Sequence, residues 1–222
     1  MKRYLQAMPL LMLAWLVGCA DNQVKPDEYS GFLQDYSRLT AQENVSGTTV
    51  LAWVDPNLKL ERYTSFYIEP VQYYPRPAPS ERLSQQTLDG IASYYSQALK
   101  HELGQALPVV DSPNSDSLVL RPAITAVGSQ TQSLKPYEVI PIALVAAGVS
   151  TAAGIRDQDT RIATEANFLD GDTSAVVAQV VRKGTGQPLE SSAQTISVQD
   201  VKGVLDGWAR DMRLSYTRLR HR

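Results

Sequence analysis

The chain contains a single cysteine, Cys19, so it cannot form an internal disulfide bond. An apolar run over residues 10–17 lies just ahead of it, and Lys2 and Arg3 stand before that run. A basic start, a short apolar middle and a small residue at the junction are typical of a secretory signal, and the run is too short to span a bilayer. We therefore expect an exported fold that is held together by its hydrophobic core alone.

The junction Leu16-Val17-Gly18-Cys19 resembles the lipobox of bacterial lipoproteins. This resemblance implies that the signal peptide covers residues 1–18, that Cys19 receives a diacylglycerol, and that the new amino terminus is then acylated. An ordinary signal peptide beside an incidental cysteine is the alternative interpretation. In lipoproteins generally, an aspartate directly after the lipidated cysteine favours the inner membrane, and here that position is Ala20. The resemblance thus implies anchoring in the outer membrane, with the protein facing the periplasm.

The part of the chain after the junction divides into a tether and one domain. Residues 19–29 are polar and contain Pro26, which favours a flexible tether that carries the lipid. Residues 30–222 suit a single periplasmic domain in length, and 43% hydrophobic residues in the whole chain suffice for a packed core. With 21 basic and 23 acidic side chains, the chain lacks the positive charge of a nucleic-acid-binding protein.

Hydrophobic spacing predicts the main elements of the fold. Apolar residues recur three and four positions apart near 83–103 and 200–219, which predicts two long helices; a shorter helical pattern covers 30–39. Alternating patterns predict strands near 50–54, 63–71, 107–110, 118–127, 160–169 and 174–181, with turns at Asp170-Gly171 and at 184–187. We expect an α+β fold: a single, largely antiparallel sheet of four to six strands with the two long helices packed on one face.

Side chains suited to nucleophilic catalysis are few. The two histidines are His101, within the first predicted helix, and His221, the penultimate residue. Ser150 lies in an imperfect nucleophile-elbow pattern at 148–152, and it would need one of these histidines as its base. We therefore expect no enzyme activity and name no catalytic residue.

Two pairs of aspartates have the spacing of cation-binding loops. These are Asp157 with Asp159, and Asp170 with Asp172. Neither stretch supplies the five or more oxygen ligands of a calcium loop, and an Asp-Gly pair at 170–171 is favoured by the turn itself. The sequence predicts neither a metal site nor a cofactor.

Residues 139–155 form an uncharged stretch rich in alanine and glycine. Its length falls just under that of a membrane-spanning helix. A short helix or loop buried against the sheet is the favoured interpretation. A surface that touches the membrane or a partner is the alternative.

Several short stretches resemble an uncharacterised lipoprotein family of Gram-negative bacteria, domain of unknown function 3313. The stretches are Ser30-Gly31-Phe32-Leu33-Gln34-Asp35-Tyr36-Ser37, Ala52-Trp53-Val54-Asp55-Pro56, Tyr67-Ile68-Glu69-Pro70-Val71, Arg121-Pro122-Ala123-Ile124-Thr125 and Leu169-Asp170-Gly171-Asp172. This resemblance covers most of the mature chain and brings no known activity or catalytic residues.

Three functional hypotheses follow. The leading one is a non-catalytic envelope lipoprotein, attached to the membrane by lipid at Cys19, that binds another envelope protein in the periplasm. The second is a membrane-tethered hydrolase that uses Ser150 or an acidic pair. The third is a binder of small molecules or lipids that uses residues 139–155.

Overall fold

The computed structural model describes residues 24–131, 158–191 and 193–221, which form one sheet and two long helices. The strands are β1 (Thr40–Glu43), β2 (Thr49–Val54), β3 (Ser65–Ile68), β4 (Gln72–Tyr73), β5 (Val109–Val110), β6 (Ser117–Thr131), β7 (Gln158–Asp170) and β8 (Val176–Leu189). The helices are α1 (Gln85–Leu103) and α2 (Val198–Arg220). The predicted segment 139–155 lies outside the described residues.

The sheet has eight strands and is mixed, so the prediction of four to six largely antiparallel strands is wrong. The strand order is β1-β2-β8-β7-β6-β3-β5, and β4 pairs with β6 beside this path. β3 runs parallel to β5 and β6, and β4 runs parallel to β6, whereas β1, β2, β8, β7 and β6 pair antiparallel in succession. The parallel part follows from α1, because a helical crossover returns the chain to the same end of the sheet before β5 begins.

Both helices lie close to where the sequence predicts them. The Ser84 side chain caps the start of α1 by accepting a hydrogen bond from the Thr87 N–H at 3.1 Å, and Gly104 follows the last helical residue. The helices pack against each other, and the Tyr94 hydroxyl of α1 donates to the Asp206 carboxylate of α2 at 2.6 Å. The buried stripes that cover the sheet are Leu88, Ile91, Tyr95, Leu99 and Leu103 on α1, and Val201, Leu205, Trp208, Met212 and Tyr216 on α2.

The central strand β6 contains a proline although it has neighbours on both sides. Pairing with β3 ends at Leu120 and pairing with β4 begins at Ala123, so Pro122 falls in the gap between these two partners. A residue without an N–H is tolerated there because no parallel ladder spans that position. The register of β6 with β7 shifts between Ile124 and Ala126.

The hairpin of β7 and β8 forms around the predicted Asp170-Gly171 turn. The second predicted turn, at 184–187, is wrong because β8 runs straight through it to Leu189. A Cβ at Gly184 would lie 2.9 Å from side-chain atoms of Trp208 and Val204, and one at Gly186 would lie 2.0 Å from the Asp200 carbonyl oxygen. These glycines therefore allow α2 to approach β8 closely rather than turn the chain.

Candidate functional site

The face of the sheet opposite the helices is covered by residues 24–39, which we call the amino-terminal strap. Its Val24 and Leu33 are buried against Leu51 and Val181, and four further strap side chains, Tyr29, Phe32, Tyr36 and Leu39, pack around them. Val180, the neighbour of Val181 in β8, belongs instead to the core beneath the helices. Because side chains alternate along a strand, the strap and the helices lie on opposite faces of the sheet.

The strap is built from turns rather than from the helix predicted over 30–39. Gly31 has a φ of 89° and Gln34 a φ of 65°, and such left-handed angles interrupt an α-helix. Residues 24–29, the last part of the stretch predicted as a tether, also pack on the sheet and include a 3-10 helix, Pro26–Glu28. The polar residues 24–29 therefore belong to the packed domain rather than to a flexible tether.

An ion pair joins the strap to β8. The Lys183 ammonium lies 2.6 Å from one carboxylate oxygen of Glu28, and the two side chains are 7% and 11% exposed. The other carboxylate oxygen of Glu28 accepts the backbone N–H of Lys25 at 2.8 Å. Ion pairs in such buried positions are held in one geometry by their surroundings, unlike pairs at the surface.

A second buried carboxylate, Glu165 of β7, holds two more points of the strap. Glu165 is 1% exposed and accepts hydrogen bonds from the Ser30 backbone N–H at 3.0 Å and from the Tyr36 hydroxyl at 2.6 Å. Burial, together with the hydrogen bond to Glu165, raises the pKa of Tyr36 to about 12. The same hydroxyl accepts the Gly31 backbone N–H at 2.8 Å, so it links sheet and strap at one atom.

Chemically, these contacts fasten the strap to the sheet. The carboxylate oxygens of Glu28 and Glu165 are each engaged by hydrogen bonds or an ion pair within the fold, so their role is structural. Within the described ranges, no three residues among His, Cys, Asp and Glu are grouped to hold a metal ion. These contacts therefore hold the amino-terminal strap on the sheet.

The structure describes only some of the residues that the hydrolase hypothesis would use. His101 is exposed on α1, and His221 is exposed just after the end of α2. Cys19, Ser150 and Asp157 lie outside the described residues. Asp159, which the sequence pairs with Asp157, lies 3.6 Å from the Arg161 guanidinium.

The second predicted acidic pair divides into a buried and an exposed member. Asp170 is 4% exposed and accepts hydrogen bonds from the Tyr63 hydroxyl at 2.8 Å and from the Thr173 N–H and hydroxyl at 2.9 and 3.0 Å, whereas Asp172 is exposed. Burial alone would raise the pKa of Asp170, but these hydrogen bonds and the Arg62 guanidinium at 3.2 Å hold the pKa below its usual value. Asp170 thus fastens the β7–β8 turn to the loop before β3.

Sequence reasoning missed the four side chains that fasten the strap: Glu28, Tyr36, Glu165 and Lys183. The signal that points to them is weak. Lys183 lies between the predicted strand 174–181 and the predicted turn at 184–187, where a charged residue is expected to meet solvent. Nothing local identifies its partner, Glu28, which is 155 residues away in the chain.

In the part of the chain that the structure describes, no helix combines the length and the hydropathy needed to cross a bilayer.

Comparison with known proteins gives one family and a well-matched relative. The family described as Protein of unknown function (DUF3313) matches residues 28–212. The Uncharacterized lipoprotein YdcL of Escherichia coli K12 is 39% identical over 196 residues, which cover 88% of this chain and 88% of that protein; the protein of the same name in Escherichia coli O157:H7 gives the same values. Among solved structures, the PelC dodecamer from Paraburkholderia phytofirmans matches with a TM-score of 0.40 and 11% identity, over 74% of this chain and 96% of that chain.

Proposed function

This chain belongs to the family described as Protein of unknown function (DUF3313), and we propose that it is a lipid-anchored protein of the bacterial envelope that binds another envelope protein and catalyses no reaction. Its similarity to a protein named as a lipoprotein supports the lipid anchor, as does the Gly18-Cys19 junction. Ala20 after the cysteine supports the outer membrane, with the domain facing the periplasm.

The strap is the observation that carries this proposal. Val24 is buried on the sheet although it lies only five residues after Cys19. Five residues span at most about 18 Å when fully extended, so the lipidated residue lies within that distance of the domain. A link this short favours an orientation with the strap face toward the bilayer and α1 and α2 toward the periplasm, where a partner protein has access to them.

The buried titratable groups also support a binding role. Glu28, Glu165 and Asp170 are all engaged by hydrogen bonds or cations of the fold itself. Acid–base catalysis needs a carboxylate or histidine that is free to exchange a proton with a substrate. These carboxylates are therefore poor candidates for acid–base catalysis. The exposed faces of the two helices remain available for contact with another protein.

The anchor is tested by mass spectrometry of the mature protein. The expected product begins at Cys19 and carries three acyl chains, and Cys19→Ser should leave a soluble periplasmic protein or an unprocessed precursor. Membrane fractionation of the wild-type protein should place it with the outer membrane. An unmodified Cys19 in the mature protein would contradict the anchor.

Protein binding is tested by photocrosslinking in intact cells. A photoreactive residue is placed at His101 or Arg210, which are exposed on α1 and α2, and at Asp35, an exposed strap position, as the matched control. The helix positions should trap one identifiable envelope protein, and a photoreactive residue on that protein should trap this chain in return. Failure at both helix positions, in cells where a known envelope complex is trapped, would count against the proposal.

A further inference from the structure

An apolar cleft of about 140 Å³ lies between the carboxyl-terminal half of α2 and strands β2 and β8. Its walls are mainly apolar side chains, among them Val50, Ala52, Leu60, Phe168, Val180 and Met212. Gln42 and Glu43 of β1 also line it, and because both are exposed the cleft opens to solvent beside β1. We call this space the apolar cleft.

One buried cation, Arg182 of β8, lines the apolar cleft. Arg182 is 5% exposed, and its Nη1 donates to the Trp208 carbonyl oxygen at 2.8 Å. Its Nε is buried without a hydrogen-bond partner. Burial lowers the pKa of this guanidinium, although Tyr95 and Asp211 favour its charged form.

The charge of Arg182 is only partly balanced by the fold. None of the described carboxylates forms an ion pair with it. Asp211 acts on it through space, but that carboxylate accepts hydrogen bonds from the Asn44 amide at 2.7 Å and the Ser46 hydroxyl at 3.0 Å. A buried cation without a close anion is costly, and an anionic ligand would offset that cost.

We propose that the apolar cleft binds a small molecule that carries an apolar body and one carboxylate. The carboxylate would contact the Arg182 guanidinium, whose planar fork matches the geometry of a carboxylate, and the apolar body would lie against the walls. An apolar cavity of about 150 Å³ holds benzene, so the body is the size of one ring or a short alkyl chain. This ligand site is additional to the proposed binding of a protein partner.

Calorimetric titration of the full lipidated chain in phospholipid nanodiscs, with empty nanodiscs subtracted, tests the site. The probes are 3-phenylpropionate and its uncharged counterpart 3-phenylpropan-1-ol. The wild-type protein should bind the acid at least about tenfold more tightly than the alcohol, because a hydrogen bond to a charged group contributes about that factor. Arg182→Met should abolish this preference, and Arg213→Met, which removes a cation paired with Glu102, should retain it.

A second variant keeps the test decisive if Arg182→Met does not fold. Ala178→Leu adds volume at the wall of the cleft while leaving Arg182 in place, and it should weaken both probes by about tenfold or more. Equal affinities for acid and alcohol in the wild-type protein, absence of acid binding, or unchanged acid binding in Arg182→Met would each overturn the proposal. The crosslinking of a partner protein is independent of all these outcomes.

Discussion

The ammonium group of Lys183 lies 2.6 Å from the carboxylate of Glu28, and this contact joins β8 to the 3-10 helix Pro26–Glu28 of the strap. Both side chains are almost fully buried between the strap and the sheet. Removing one partner of a buried ion pair leaves the other charge uncompensated, whereas replacing both by apolar groups is often neutral. The pair therefore fixes where the strap docks on the sheet.

Replacing Lys183 by methionine should reduce the free energy of unfolding by about 3 kcal/mol, because Glu28 then remains buried without its cation. The double variant Glu28→Leu with Lys183→Met should recover most of this loss. Arg213→Met is the control, since its ion pair with Glu102 is more exposed and contributes about 1 kcal/mol or less. Urea unfolding measures all four proteins, and equal losses in the single and double variants would contradict the coupling.

The Tyr36 hydroxyl should make the strap sensitive to alkali. Its folded pKa of about 12 lies above the ordinary value of 10.0, so the stabilisation it provides is complete below pH 10 and is lost as the pH rises from 10 toward 12. Tyr36→Phe should cost about 1–3 kcal/mol at neutral pH, because Glu165 and the Gly31 N–H each lose a hydrogen-bond partner.

Comparison of the two proteins across the alkaline range checks this expectation. The difference in unfolding free energy between the wild-type protein and Tyr36→Phe should shrink above pH 10, by about 1 kcal/mol once solvent screening is allowed for. A phenylalanine preserves the ring that stacks on Tyr29 at 4.2 Å, so the comparison isolates the hydroxyl. A difference that stays constant up to about pH 11.5 would contradict the assigned role.

Local patterns predicted the helix side of the sheet better than the strap side. The alternation in β7 correctly places Ile162 and Ala166 on one face, and both are buried in the core beneath the helices. The same alternation directs Glu165 to the other face, where a charged residue is expected to meet solvent. Glu165 is buried instead, because Ser30 and Tyr36 reach it from 135 and 129 residues away.

Local hydrophobic patterns also failed to predict the number of strands and their directions. α1 and α2 repeat an apolar spacing over 19 and 23 residues, which is long enough to identify a helix from sequence. β4 has two residues and β1 is exposed at every position, so no alternation marks them, whereas the equally short β5 falls within the strand predicted at 107–110. Such strands exist because another strand pairs with them: β1 pairs with β2, the next strand in the chain, and β4 pairs with β6, which lies much further along it.

The two members of the Asp170–Asp172 pair should behave differently when mutated. Asp170→Asn should lower the free energy of unfolding by about 2–3 kcal/mol, because a neutral amide is a weaker acceptor for Tyr63 and Thr173 and loses the attraction of Arg62. Asp172→Asn is the matched control and should change stability by less than about 0.5 kcal/mol, since that side chain is exposed.

Acid titration adds a second readout for Asp170. Its folded pKa lies below the ordinary value of 3.8, so its contribution is present above that value and is lost as the pH falls through the folded pKa. Stability measured from neutral pH to about pH 2 should therefore fall less steeply in Asp170→Asn than in the wild-type protein or Asp172→Asn. Identical acid profiles in all three proteins would show that the Asp170 carboxylate does not hold the turn.

Two glycines, Gly184 and Gly203, should respond to alanine in opposite directions. A Cβ at Gly184 would lie 2.9 Å from side-chain atoms of Trp208 and Val204, so Gly184→Ala must displace these side chains or the helix that carries them and should cost about 1–3 kcal/mol. A Cβ at Gly203, within α2, would meet no atom within 4 Å, so Gly203→Ala should stabilise the protein by about 0.5–1 kcal/mol through its helix propensity.

Thermal or urea unfolding of the two alanine variants measures this contrast directly. If Gly184 belonged to a turn, its replacement would act on the loop and leave the packing of Trp208 unchanged. Tryptophan fluorescence should instead report a changed environment of Trp208 in Gly184→Ala and an unchanged one in Gly203→Ala. Destabilisation of similar size in both variants would mean that the glycines of this region serve backbone flexibility, and the close approach of α2 to β8 would lose its support.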